Sequence, residues 1–462
     1  VFHVSSGFYS GQLPFMNEEG WSTQGFDYNQ TTITSPSYGI AAGQFSDGIP
    51  YTASALTATN FDPGIYPSSG SLNAAPAFTP KNAGHSGRFV QTSIGFEREV
   101  IKDLSIEATF IDNRGVWLNS DGLTGYNQLT ASTIASYGLD ITNATDFNLL
   151  TQSISSATVV AKGFTKPYSS FPSGTSLAQA LRPFPQFSSV SDHYERNGNT
   201  WYDAAQFKLT KRLRNGLSIG ANYTWSKNLG TVANGNRAGP IQDPTLPPKS
   251  QKTYESIDLP QMVKVNFTYD LPTFRFAHAG WKHAILAGWT TDGIFTYSSG
   301  SLIATPSSTN SVTSVTFGTS VWANRVAGQP LFLHSVNAHN VNPYTTFFYN
   351  PAAWSNPATG TYGTSKGYYS DFRGPRYPSE QLGFGKNFSF RESMKFSLRA
   401  DLFNVFNRWA YPSLNEGSPF ATRKYASDGS ITNGFGYLGN SISNAGGNFA
   451  PRSGSIVARI QF

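Results

Sequence analysis

At 462 residues the chain has room for two or three ordinary domains or for one large barrel. Charged residues make up only 13%, about half the share usual in soluble proteins, while aromatics reach 15%, with 35 Phe, 23 Tyr and 9 Trp. The lack of cysteine excludes disulfides and thiolate metal sites, the net charge of +6 forms no Lys/Arg block that would mark a nucleic-acid surface, and no run of ~18 apolar residues exists to make a spanning helix.

Val1–Gly11 alternates and reads as a short strand, and 12–87, rich in Gly, Pro, Ser, Thr and Asn, reads as loop. Val90, Thr92, Ile94 and Phe96 then alternate with polar neighbours. A short hinge at Val100–Asp103 leads to Leu104, Ile106, Ala108 and Phe110 on a return strand. Residues 114–199, broken by Pro167, Pro172, Pro183 and Pro185, read as a long irregular connection. A hairpin follows, with Trp201, Ala205, Phe207 and Leu209 on one arm and Leu217–Trp225 on the other. Its turn holds Asn215-Gly216, a pair that accepts positive φ. After loop 229–260, Val263–Tyr269 is a strand. Beyond a connection with Pro272, the alternation of Ile285, Ala287, Trp289, Thr291, Gly293, Phe295 and Tyr297 predicts another. Residues 299–379 read as loop. Leu382–Phe390 and Met394–Phe406 form a hairpin about Arg391–Ser393, 408–451 is loop, and Gly454–Phe462 alternates to the end.

These are about ten strands of ~9–13 residues, each with an apolar and a polar face, joined alternately by brief and long connections. That is the plan of an antiparallel transmembrane β-barrel with short periplasmic turns and long extracellular loops, and it predicts one barrel region over 1–462. The polar faces place Lys208, Lys264, Arg399 and Arg459 in the lumen, where they would guide anionic solutes or satisfy neighbouring charges. Trp117, Tyr168, Trp354, Tyr362, Tyr368 and Tyr369 are loop aromatics that would stack on a ligand, or else pack the loops and anchor them at the lipid interface. Ile456, Ile460 and the terminal Phe462 form an alternating aromatic-ended strand resembling the signal read by the barrel-assembly machinery.

Catalytic patterns are poor. Asp192-His193 has no assigned nucleophile, and His334 and His339 have no carboxylate near. Gly363-x-Ser365-x-Gly367 lacks the strand and helix of a nucleophile elbow, and Ser427-Asp428-Gly429 reads as a turn. No enzyme activity and no cofactor are expected.

Several segments, from residue 88 to 462, resemble the C-terminal barrel part of TonB-dependent outer-membrane receptors of the Oar-like group, whose N-terminal domain is carboxypeptidase-regulatory-like. They include QTSIGFER (91–98), LSIEATFIDNRG, RPFPQF (182–187), YDAAQFKLTKRLRNGLSIGANYTWSKNL and TYDLP. GWTTDGIFTYSSG, FYNPAAW, Arg373-Gly374-Pro375 and KNFSFRESMKFSLRADLFNVFN follow in the same order and spacing. The resemblance implies a 22-stranded barrel, a plug, and energy delivered through a TonB complex. It makes this chain the C-terminal portion of a larger receptor, consistent with a start at Val1 in mid-pattern and without a leader. The expected function is binding a large or scarce solute at the extracellular loops and passing it to the periplasm. The expected partners are the TonB complex, the assembly machinery, outer-membrane lipid and an unknown solute. The other readings are a passive pore or surface adhesin, and a secreted carbohydrate-binding β-sandwich.

Overall fold

The computed structural model describes residues 1–11, 44, 46, 72, 77–78, 81, 85–120, 125–192, 195–233, 237–238, 242–243, 245–273, 280–318, 320–337, 341–342, 344–391, 394–408, 414, 417–437 and 451–461. Its frame is an antiparallel sheet of ten strands, each paired with its neighbour in sequence. They are β1 (Phe2–Ser10), β2 (Arg88–Ile101), β3 (Leu104–Leu118), β4 (Gly198–Arg214), β5 (Leu217–Gly230), β6 (Gln261–Asp270), β7 (Trp289–Ser298), β8 (Tyr377–Arg391), β9 (Met394–Phe403) and β10 (Ser453–Gln461). A two-residue strand, Thr253–Tyr254, extends the sheet beside the end of β5. Among the described residues β1 and β10 do not pair, so this sheet is open rather than closed.

The two-residue period decides which face each side chain takes, and the register carries that choice across strands. Ala108, Phe207, Tyr223, Val263 and Tyr297 are successive partners on one face. One residue along, Glu107, Lys208, Asn222, Lys264 and Thr296 are partners on the other. The tight turns form where the backbone can take positive φ: Asp103 at 67°, and Asn215 and Gly216 at 52° and 80°. Because the strands alternate in direction, the connections that follow Ile101, Arg214 and Arg391, and the longer one between Asp270 and Trp289, share one end. The long connections 119–197, 231–260, 299–376 and 404–452 share the other.

The strand edges depart from expectation by a few residues at several places, and three of these departures have a visible cause. β3 runs on to Leu118, five residues into the expected loop, and Arg114 there reaches both Asp112 and Asp203 (3.0 and 2.8 Å). Ile285 and Ala287 do not begin β7. They close helix α5 (Gly280–Leu286), whose end is held by Lys386 Nζ donating to the Ile285 and Ala287 carbonyls (2.9 and 2.6 Å), and Gly288 turns the chain at φ 70°. β9 stops at Phe403, because Asn404 takes φ 50°, so Phe406 lies beyond the strand.

The largest correction concerns the described parts of the long connections, which are not wholly irregular. Segment 125–187 carries four short helices, α1 (Ala131–Ser136), α2 (Ala144–Thr151), α3 (Ala157–Ala161) and α4 (Leu177–Ala180). Each has a side-chain N-cap: Thr130, Asn143, Ser156 and Ser176. With the turn of helix at Thr313–Thr316 they bury one core around Ile134, Leu150, Val159, Leu177, Val312 and Val315. A second core gathers Ile303, Phe348, Tyr349, Trp354, Phe372 and Phe435. Both cores belong to the long-loop end of the sheet.

Candidate functional site

Two surfaces can meet a solute: the polar face of the sheet and the caps above it. On the polar face the charges are mostly paired. Lys208 Nζ lies 3.4 Å from Glu107, whose strand partner on the other side is Glu97. Arg399 holds two carboxylates at once. Its Nη atoms form a bidentate pair with Asp292 on β7 (2.7 and 2.8 Å), and its Nε donates to Asp401 (2.8 Å). To reach β7 the guanidinium crosses β8, and it does so over Gly383. A Cβ at that position would sit 2.6 Å from Arg399 and 2.9 Å from Asp292. Gly383 is therefore the slot for Arg399. Lys264 and Arg459 are exposed, with no carboxylate in ion-pair distance among the described residues. So two of the four expected lumen cations are neutralised and two are open. Ile456 and Ile460 lie on the apolar face of β10, partnering Ala400 and Phe396; Phe462 lies outside the described residues.

The six aromatics do not form one site. Trp354 is 3% exposed and belongs to the second core. Tyr168 and Tyr362 pack against the first core, where the Tyr362 hydroxyl meets Thr316 at 2.7 Å; burial raises its pKa. Trp117 is a strand residue at φ 56°, with His85 against its edge and Arg88 over its ring. Tyr368 and Tyr369 line an open cavity together.

The motifs that looked like recognition words are mostly cap architecture. In FYNPAAW, Phe348, Tyr349, Ala353 and Trp354 are buried together. Asn350 accepts from the Ala352 amide (3.1 Å) and donates to the Pro330 carbonyl (2.8 Å). In RPFPQF, Arg182 is buried without a carboxylate. It donates to Asn127 O, Gln179 Oε1 and Ser188 O (2.5, 2.6 and 2.7 Å) and lies 4.0 Å over the Phe317 ring. Burial pushes its pKa down to about 10, so it remains charged at neutral pH. Arg373 of the Arg-Gly-Pro word pairs with buried Asp258, tying the two long connections on either side of β6 and β7.

Two of the weak catalytic patterns fall on described residues. Ser365 is buried and its hydroxyl accepts from the Arg325 amide (3.0 Å). Asp428 accepts from the Ser430 amide and hydroxyl, which lowers its pKa and closes a turn. His193 and His339 lie outside the described residues. Among the described residues no group of three His, Asp or Glu is placed to hold a metal.

No curated protein matches the chain. Among solved structures it is similar to the outer-membrane transporter YddB from Escherichia coli, at 9% identity and TM-score 0.36, over 85% of this chain and 34% of that one. It is also similar to the ferric enterobactin receptor PfeA from Pseudomonas aeruginosa, at 9% identity and TM-score 0.33, over 81% and 31%. The toluene transporter TodX from Pseudomonas putida follows at 9% and 0.18, over 68% and 55%. The chain thus spans about a third of the length of the first two. The family model of the outer membrane beta barrel domain matches residues 1–452, nearly the whole chain. With its two-faced strands and its long connections gathered at one end, this chain belongs to the outer membrane beta barrel domain family and is a protein of the bacterial outer membrane.

Proposed function

We propose that the chain is part of a TonB-coupled receptor that captures a large or scarce solute on its extracellular caps and passes it along the polar face to the periplasm. One observation carries this reading. The polar face keeps a continuous lining of Glu107, Lys208, Asn222, Lys264 and Thr296 across five strands, while the connections at one end are folded into packed caps. A lining of this kind suits passage of a hydrated solute, and rigid caps suit a binding surface. Coupling to TonB is supported by the resemblance of several segments, in order and spacing, to Oar-like receptors. Assembly would use the barrel-assembly machinery, and no catalytic step is involved.

The test is genetic. Growth is measured on scarce-nutrient media in cells lacking the full-length protein, cells lacking TonB, and cells lacking both. Coupled uptake requires the same defect in all three. A defect that appears only on loss of the protein, with TonB dispensable, would leave a passive pore or an adhesin.

A further inference from the structure

At the long-loop end of β5 the apolar face turns from aromatic to basic. Leu217, Ile219, Ala221, Tyr223 and Trp225 follow one another on that face, and the next position is Lys227. At ~3.3 Å per residue and a tilt near 45°, the span from Leu217 to Trp225 covers about 19 Å of a ~25 Å apolar band. Lys227 therefore lies at the extracellular edge of the lipid-facing surface. There it joins Lys249, Lys252, Lys366 and Arg325 around a cavity of about 610 Å³.

The charge in this cavity is unbalanced. Arg325 is neutralised by a bidentate pair with Asp371 (3.0 and 2.6 Å) and stacks on Tyr369. None of the four lysines is within ion-pair distance of a carboxylate among the described residues. Lys252 sits 3.7 Å over the Trp201 ring, and Lys227 5.5 Å from the Tyr254 ring. Burial lowers the pKa of Lys252, and the nearby Arg114, Lys227 and Lys366 push the same way against Asp203 alone. Four cations drawn together without partners repel one another unless an anion enters.

A second cavity of about 470 Å³ adjoins the first and shares Lys227, Tyr254 and Ser370 with it. Its walls are mainly apolar, with Phe110, Ala205, Trp225 and Pro260, and Asp203 and Arg373 also belong to the lining. A basic cavity above an apolar groove, on the face that meets lipid, complements an amphiphile. A free anion has no use for the groove. We propose that this pair of cavities binds the phosphorylated headgroup of an outer-leaflet glycolipid, with an acyl chain lying along Trp225 and Phe110.

The test uses full-length protein purified from outer membranes, stripped of lipid in detergent and titrated with bisphosphorylated lipid A in mixed micelles. Binding is read by native mass spectrometry. The variant K227Q/K252Q/K366Q is expected to bind on the order of tenfold more weakly or worse, whereas K227R/K252R/K366R keeps wild-type binding. Dephosphorylated lipid A should bind wild type as weakly as the Gln variant does, and millimolar inorganic phosphate should not displace lipid A. Heat-modifiable migration confirms that each variant is folded, and the Arg variant separates charge from folding. Equal binding by the Gln variant and wild type would overturn the proposal. So would tight binding of dephosphorylated lipid A, or displacement by inorganic phosphate, which would make this a free-anion site. None of these readouts involves solute uptake, so the outcome stands apart from the transport reading.

Discussion

The sheet and the caps treat the same kind of side chain in opposite ways. On the sheet, Phe110 is 50% exposed, Trp225 62% and Ile456 78%. In the caps, Leu150 and Phe348 are fully buried and Trp354 nearly so. A soluble protein exposing the sheet's apolar face would carry a patch far beyond the few hundred Å² that monomers tolerate. The difference is one of solvent. The sheet's apolar face is made for lipid and needs no partner layer, whereas the caps stand in water and must build cores of their own. Each cap does so with short capped helices or aromatic clusters rather than with long elements. The secreted β-sandwich reading fails on the same contrast, since no second sheet covers this face among the described residues.

The contrast is broken most severely from the cap side. Phe348→Ala should cost about 3–5 kcal/mol of cap stability and open the second core to protease, while the strands still insert and remain heat-modifiable. Limited proteolysis of outer membranes, with mass analysis of the protected fragments, checks this. Almost as large is the opposite insult. Phe207→Lys puts a charge on the lipid face and should cost about 2–4 kcal/mol if the position lies near the bilayer midplane, whereas Phe207→Leu should be nearly neutral. Urea titration in lipid vesicles separates the two.

A smaller effect sharpens the role of the polar face. Gly383→Val should expel Arg399 from its slot and free the Asp292 carboxylate. Arg399→Ala alone should cost no more than about 1 kcal/mol, because the guanidinium is partly solvated. The Gly383 variant is therefore expected to be the worse of the two, since it also strains β8. The smallest effect belongs to the basic cavity. Lys252 has a lowered pKa, so it loses its charge at a lower pH than an ordinary lysine. Lipid A binding should weaken early in the alkaline range, and K252Q should remove that part of the pH profile.

Much of the sheet was legible because a two-residue period needs only local sequence. Asn215-Gly216 fixed a turn, and Met394–Leu402 fixed both faces of β9. The caps were not legible, for a physical reason. Helices of four to eight residues are too short to show a 3.6-residue period, and their cores join residues as far apart as Ile134 and Val315. The local signals were present all the same, in the capping residues Thr130, Asn143, Ser156 and Ser176. The alternation of Ile285, Ala287 and Trp289 misled because the end of a helix and the start of a strand together mimic one strand. Arg399 was visible as a polar-face charge, but its partner Asp292 was not, because the contact spans an intervening strand. The basic cavity was invisible for the same reason, since Lys227, Lys252 and Lys366 come from three separate segments.

One face of this sheet meets lipid and the other meets water. This chain has no cysteine of its own, so a cysteine introduced here is labelled alone once any cysteine elsewhere in the full-length protein is replaced by serine. Asn222→Cys and Tyr223→Cys are adjacent on β5 and belong to opposite faces. Each is labelled with an environment-sensitive fluorophore in the full-length protein, reconstituted in vesicles, and challenged with a lipid-dissolved and a water-soluble quencher. The label at 223 should be quenched from the lipid and the label at 222 from water. Quenching of both labels by the aqueous reagent alone would contradict that assignment of faces.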